Sequence, residues 1–221
     1  YPMGTLNTTN VTDFSNNSYD MRIKGTPAFV NTTHGWAWLP NGAADELDTQ
    51  RYSLSFSKNG TMCMLTNISG GFVGHDLMYE GHSTWCTNNC TTINFAASGF
   101  NFQSVESAGA FETSVTYDIP NTGRPAYICA SWGEGIGRFI YVNGVQVKGD
   151  TSSAGVRPLP VTNNGQPLCF GACGRYNLPV LATYDDIVLY DRWLSNATIF
   201  DMYYQSVGYV PFAVKQTQDL T

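Results

Sequence analysis

Apolar and polar positions alternate along much of this chain. Tyr52, Leu54 and Phe56 are separated by Ser53, Ser55 and Ser57, while Phe111, Val115, Tyr117 and Ile119 form a second period-two set closed by Pro120. A period of two puts successive side chains on opposite faces of a strand, so each stretch predicts a strand with one buried and one wet face. Asn59-Gly60 predicts the turn that ends the first. In "GRFIYVNGVQVKG", residues 139–142 and 145–148 flank Asn143-Gly144, the pair preferred in a two-residue type I′ hairpin turn. "PLCFGACG" predicts a further strand bounded by glycine. Helical spacing begins only after Leu194, with Ser195 placed as N-cap and an end before Gly208. Hairpin-joined strands and one late helix predict an all-β fold of two packed antiparallel sheets.

No repeat or linker divides the chain. Residues 1–27, rich in Asn, Thr and Ser, are expected to form an exposed, partly extended arm, and residues 28–207 the sandwich. Residues 208–221 follow as a β-prone extension, with Val210, Phe212 and Val214 on one side. That segment is a candidate assembly strand. It pairs within its own sheet, or it or the N-terminal arm adds to the edge of a neighbour's sheet and yields a homo-oligomer or head-to-tail filament.

Charge narrows the partners. The net charge is −6, and the eleven Lys and Arg are scattered singly. Without a basic stripe, nucleic acid and anionic membrane surfaces are not expected partners. No apolar run approaches the roughly 20 residues that span a bilayer. Eight Asn-X-Ser/Thr signals occur, at Asn7, Asn10, Asn16, Asn31, Asn59, Asn67, Asn89 and Asn196. Chance predicts about three at this composition. The excess points to a secreted or cell-surface glycoprotein with sugars on its exterior. The start at Tyr1 reads as a processed mature form.

Cysteine usage agrees with an oxidising compartment. Cys63, Cys86, Cys90, Cys129, Cys169 and Cys173 allow up to three disulfides. Short spacings favour Cys86 with Cys90 and Cys169 with Cys173, leaving Cys63 for Cys129. The rival is a zinc site built from the two C-x3-C pairs, although zinc usually takes a tighter C-x2-C knuckle.

Three stretches together carry a family likeness. "DDIVLYDRWLSNATI", "AYICASWGEGIGRFIYVNGVQV" and "PLCFGACG" resemble the late strands of laminin-G-like domains, in the concanavalin A-like lectin/glucanase superfamily. "GWAWLP" resembles an early strand of that family, and the likeness covers roughly residues 28–207. It implies a jelly-roll sandwich of two antiparallel sheets with one short C-terminal helix. The fold hosts lectins, adhesion modules, enzymes and spacers, so chemistry must be sought in the residues.

Asp185 and Asp186 are adjacent, and on a regular strand adjacent side chains face opposite ways. Asp185, Ile187 and Leu189 are then expected on one face and Asp186, Val188 and Tyr190 on the other. Two carboxylates so placed cannot act together on one substrate, and each is expected to accept hydrogen bonds instead. Glucanases of the superfamily hold two glutamates on one strand face, about 5 Å apart in retaining enzymes. Here Glu46 and Asp48 match the start of that motif, but Gln50 and Arg51 stand where the second glutamate is needed. No other catalytic motif is present, so no enzyme activity is expected. His75, Asp76 and His82 are close enough to share a loop with a metal, but read more simply as solvent-facing loop residues. His34 stands alone. No cofactor is expected apart from calcium, the ion the resemblance implies, with Asp45, Asp48 and Asp76 as candidate oxygen ligands. Trp36 and Trp38 read first as core and, if exposed, as a stacking platform for a sugar ring. A structural or adhesive module is the first functional reading, and a lectin binding extracellular glycans the alternative.

Overall fold

The computed structural model describes residues 10–12, 20–32, 35–41, 45–48, 59–68, 75–80, 90–96, 99–105, 111–117, 124–151, 168–171 and 182–206; between 75 and 117 only the backbone is described. Two antiparallel sheets are formed. The eight-stranded sheet runs β1 (Asn10–Val11), β2 (Met21–Lys24), β5 (Glu46–Asp48), β14 (Leu168–Gly171), β7 (His75–Glu80), β8 (Cys90–Ala96), β9 (Gly99–Val105) and β10 (Phe111–Tyr117). The seven-stranded sheet runs β13 (Val145–Asp150), β12 (Gly137–Val142), β11 (Ala126–Gly133), β6 (Asn59–Ile68), β15 (Ala182–Tyr190), β4 (Gly35–Leu39) and β3 (Ala28–Thr32). The chain passes repeatedly from one sheet to the other, as in a jelly roll.

The central strands explain the core. β6 and β11 are buried on both faces, so their alternate residues fill two compartments. Met62, Met64, Ile128, Ala130 and Trp132 point between the sheets with Trp38, Leu47, Phe170, Tyr184 and Ile187. Cys63, Leu65, Tyr127 and Cys129 point outward and are covered by Leu194 and Ile199 of the helical segment. Helix α1 (Asn196–Ser206) thus lies on the outer face of the seven-stranded sheet. The Ser195 hydroxyl accepts the Thr198 backbone N–H at 3.3 Å, the expected cap.

The expected hairpin is present. Val142 faces Val145, and Asn143 and Gly144 both have positive φ, 51° and 77°. Asn143 is further fixed because its Oδ1 accepts the Tyr127 N–H at 3.0 Å and its own N–H donates to the Tyr127 carbonyl at 2.8 Å. The expected strands at Phe111 and in "PLCFGACG" are β10 and β14. The Tyr52 strand and the segment with Val210, Phe212 and Val214 lie outside the described residues.

Three expectations are corrected. Asn59-Gly60 is no turn but opens β6. Gly60 faces Trp132, and a Cβ at Gly60 would overlap the indole, so the glycine admits a ring lying across the strand. Residues 10–11 and 21–24, expected in an arm, pair as β1 and β2, with Val11 and Met21 buried in the inter-sheet core. Lastly, β15 does not keep strict alternation. Between Asp185 and Val188 it carries one residue more than β6 carries between Leu65 and Cys63. Asp186 takes up the bulge at φ 45°, a conformation short polar residues tolerate. Tyr184 and Ile187, three apart, therefore both enter the inter-sheet core, and Asp185 does not share a face with Ile187.

Candidate functional site

The β3–β4 hairpin divides the two tryptophans expected together. Trp38 is 0% exposed and packs at 5.1 Å, ring to ring, on Tyr184. Trp36, nearer the hairpin end, is 42% exposed. Trp38 is therefore core, and Trp36 is the half of the platform available to a ligand. In the ladder Trp36 faces Asn31 and Trp38 faces Phe29. Thr32 Oγ1 stands 3.1 Å from the Gly35 carbonyl oxygen and 3.4 Å from Asp185 Oδ2, which ties this end of the hairpin to β15. Asp185 is buried, and its Oδ1 accepts the Asp186 N–H at 2.9 Å. Its carboxylate holds the bulge and the hairpin, the structural part expected of it.

Glu46 and Asp48 stand on the same side of β5, opposite to Leu47, which fills the core. Asp48 is fully buried, and its Oδ2 accepts from Arg22 and from Lys24 Nζ, each at 2.6 Å. Lys24 also pairs with Glu46. Two cations spaced by two on β2 thus meet two carboxylates spaced by two on β5, in register. Both acids are committed to this network. Sequence reading passed over Arg22 and Lys24, although the matching i, i+2 charges in "MRIK" and "ELD" were its signal.

Asp45 is also committed. Its Oδ1 accepts the Thr26 N–H at 2.7 Å and its Oδ2 the Asn41 N–H at 2.8 Å. Asp45 and Asp48 therefore do not fit a calcium ion, since the oxygens it would take are held by backbone amides and cations. Among the described residues no group of three or more His, Cys, Asp or Glu could hold a metal. His75 and Asp76 lie on β7, a strand and not a loop. His34 and His82 lie outside the described residues, as do Cys86, Cys173 and the signals at Asn7, Asn16 and Asn89.

Cys63 and Cys129, opposite each other on β6 and β11, form the expected disulfide. Cys169 is also disulfide-bonded, which removes it from any zinc site. Of the glycosylation signals, Asn31 and Asn196 are exposed, and Asn10, Asn59 and Asn67 are partly buried. Asn196 Oδ1 accepts the Tyr141 hydroxyl at 2.6 Å. Burial pushes the Tyr141 phenol up to about 12. It raises Tyr127 further, with Tyr190 and Asp186 adding negative charge nearby.

No protein-family model matches the chain, and no curated protein matches it. Solved structures do. The chain is similar to the binding domain of Paraclostridial Mosquitocidal Protein 1, at TM-score 0.71 and 13% identity over 90% of this chain and 50% of that one. It is similar to domain 4 of AbnA, a GH43 extracellular arabinanase from Geobacillus stearothermophilus, in complex with arabinotriose. There the TM-score is 0.64 and the identity 16%, over 81% of this chain and 82% of that domain. A third likeness is to the receptor binding domain of a botulinum neurotoxin C/D mosaic serotype, at TM-score 0.67 and 13% identity over 88% and 48%. The chain spans about half the length of the two toxin chains. At these identities the likeness establishes the fold alone, a two-sheet β-sandwich. No helix among the described residues is long and apolar enough to cross a membrane.

Proposed function

We propose that this chain is a non-catalytic, secreted carbohydrate-binding module that takes a saccharide on Trp36 at the rim of the sandwich. One observation carries the reading: Trp36 is exposed two residues from a fully buried Trp38, on a hairpin braced by Thr32 and Asp185. An indole exposed at the surface offers an apolar face to the C–H face of a sugar ring. The similar solved structures support a binding role, two of them being toxin binding domains and the third a domain of an arabinanase in complex with arabinotriose. The commitment of Glu46 and Asp48 to Arg22 and Lys24 supports the absence of glycosidase chemistry. The laminin-G-like pattern of residues 185–199 fits an extracellular module of this kind. Binding on Trp36 needs no calcium. A glycan array on the enzymatically deglycosylated chain, with and without chelator, tests this. Chelator-insensitive binding that Trp36→Ala abolishes is expected, and a blank array overturns it.

A second reading, a structural or adhesive subunit assembling by strand addition, has its own observation. β13 is an edge strand, Val145 on it is exposed, and among the described residues no strand pairs with its outer side. Negative-stain images of the chain with and without residues 209–221 test it. Filaments lost on deletion support it, and monomers in both preparations sink it.

A further inference from the structure

We propose that Asn31, Asn59 and Asn196 carry N-glycans that cover the exposed apolar side chains, and that the sugar on Asn31 stacks on Trp36 in cis. Among the described residues, the exposed large apolar side chains are Trp36, Ile136, Val145 and Phe200. Each lies beside a glycosylation signal or borders one that does.

Asn31 faces Trp36 directly across the β3–β4 ladder. Directly opposed residues of an antiparallel pair share a face, with Cβ atoms about 5 Å apart. Two positions back, Phe29 and Trp38 occupy the same two columns and enter the core. Asn31 and Trp36 are where those columns leave the core for solvent. A sugar attached to Asn31 Nδ2 therefore begins its course alongside the indole.

The helix repeats the arrangement. Asn196 and Phe200 are four residues apart on α1, both exposed, and so share a helix face. Tyr141 holds Asn196 by Oδ1, which leaves Nδ2, the atom that takes the sugar, turned away from that bond. Val145 borders the same patch, since it follows Gly144, whose Cβ position would lie 3.1 Å from Phe200 Cα. At the third place a Cβ on Gly133 would meet Ile136 at 2.8 Å and Asn59 Oδ1 at 3.2 Å, so these two side chains converge. Asn59 Oδ1 also accepts the Glu134 N–H at 3.1 Å, again leaving Nδ2.

The physical effect is common to all three. N-acetylglucosamine is hydrophilic at its edges and carries a C–H face that covers apolar surface, best against an aromatic ring. The inference shares the Trp36 indole with the proposed function but does not depend on any ligand taken in trans. A sugar held there in cis competes with one arriving from outside, so occupancy at Asn31 controls the platform.

The test uses the full chain secreted from eukaryotic cells. Site-resolved glycopeptide mass spectrometry is expected to find Asn31, Asn59 and Asn196 modified. Acrylamide quenching of tryptophan emission is then measured before and after peptide N-glycosidase treatment, in wild type, Asn31→Gln and Asn31→Gln/Trp36→Phe. Sugar removal and Asn31→Gln are each expected to raise quenching to the same level, and Trp36→Phe to abolish the rise. An unmodified asparagine at any of the three positions, or quenching unchanged by sugar removal, overturns the proposal. On a glycan array the intact chain is expected to bind about tenfold more weakly than Asn31→Gln, the equivalent of one stacking contact. If quenching rises as stated but the array is blank for both, covering in cis stands and the saccharide-binding reading falls.

Discussion

The Tyr141 hydroxyl donates to Asn196 Oδ1 at 2.6 Å, joining β12 to the first residue of α1. Tyr141 is fully buried, and its phenol is pushed up to about 12 from an ordinary value near 10. The folded state therefore holds this proton more tightly than the unfolded chain. Its contribution to stability is complete below pH about 10 and is lost as the pH rises through about 12. Wild-type denaturation midpoints are expected to fall across that window, with the raised Tyr127 adding in the same direction. Tyr141→Phe should lower stability by about 1 kcal/mol at neutral pH and flatten the alkaline decline. Urea titrations at a series of pH values check both.

The Cys63–Cys129 bridge closes a sequence separation of 66 residues beneath the helix. Tying the two central strands restricts the unfolded chain more than the folded one. The double substitution Cys63→Ala/Cys129→Ala is expected to cost about 2–5 kcal/mol. Thermal melts of that variant beside wild type, both under non-reducing conditions, measure it.

Gly60 is required by the ring that crosses it. Gly60→Ala drives a methyl group into the Trp132 indole, itself buried in the inter-sheet core. A loss of about 1–3 kcal/mol is expected, as for other overpacked sites. Trp132→Leu in the Gly60→Ala background should recover part of it, which a double-mutant cycle by chemical denaturation detects.

Asp186 sits at φ 45°, where glycine rests without strain. Asp186→Gly is expected to be neutral, or to stabilise by less than about 1 kcal/mol, whereas Asp186→Val costs about 1–2 kcal/mol. If the valine variant melts with wild type, the bulge does not hold that conformation in solution.

Much of this molecule was written in local sequence. The turn at Asn143-Gly144 and the cap at Ser195 depend on backbone conformations that one or two residues dictate, so both were legible. The two-sheet architecture followed from period-two alternation, and the Cys63–Cys129 pair followed once the short spacings were set aside. What stayed hidden were relationships between strands far apart in the chain. Gly60 resembles a turn glycine until Trp132 is known to lie across it. Trp36 and Trp38 look equivalent until packing on Tyr184 buries one and leaves the other in water. Asp185 and Ile187 keep their expected face only if no residue is inserted, and a bulge has no period of its own. Sequence by itself determined the all-β class and strands such as those around the Asn143-Gly144 turn, because alternation and turn chemistry are local. Which face each strand shows to its neighbours, and so which side chains reach solvent, was decided only by tertiary structure. Register and sheet coverage arise from contacts between segments dozens of residues apart.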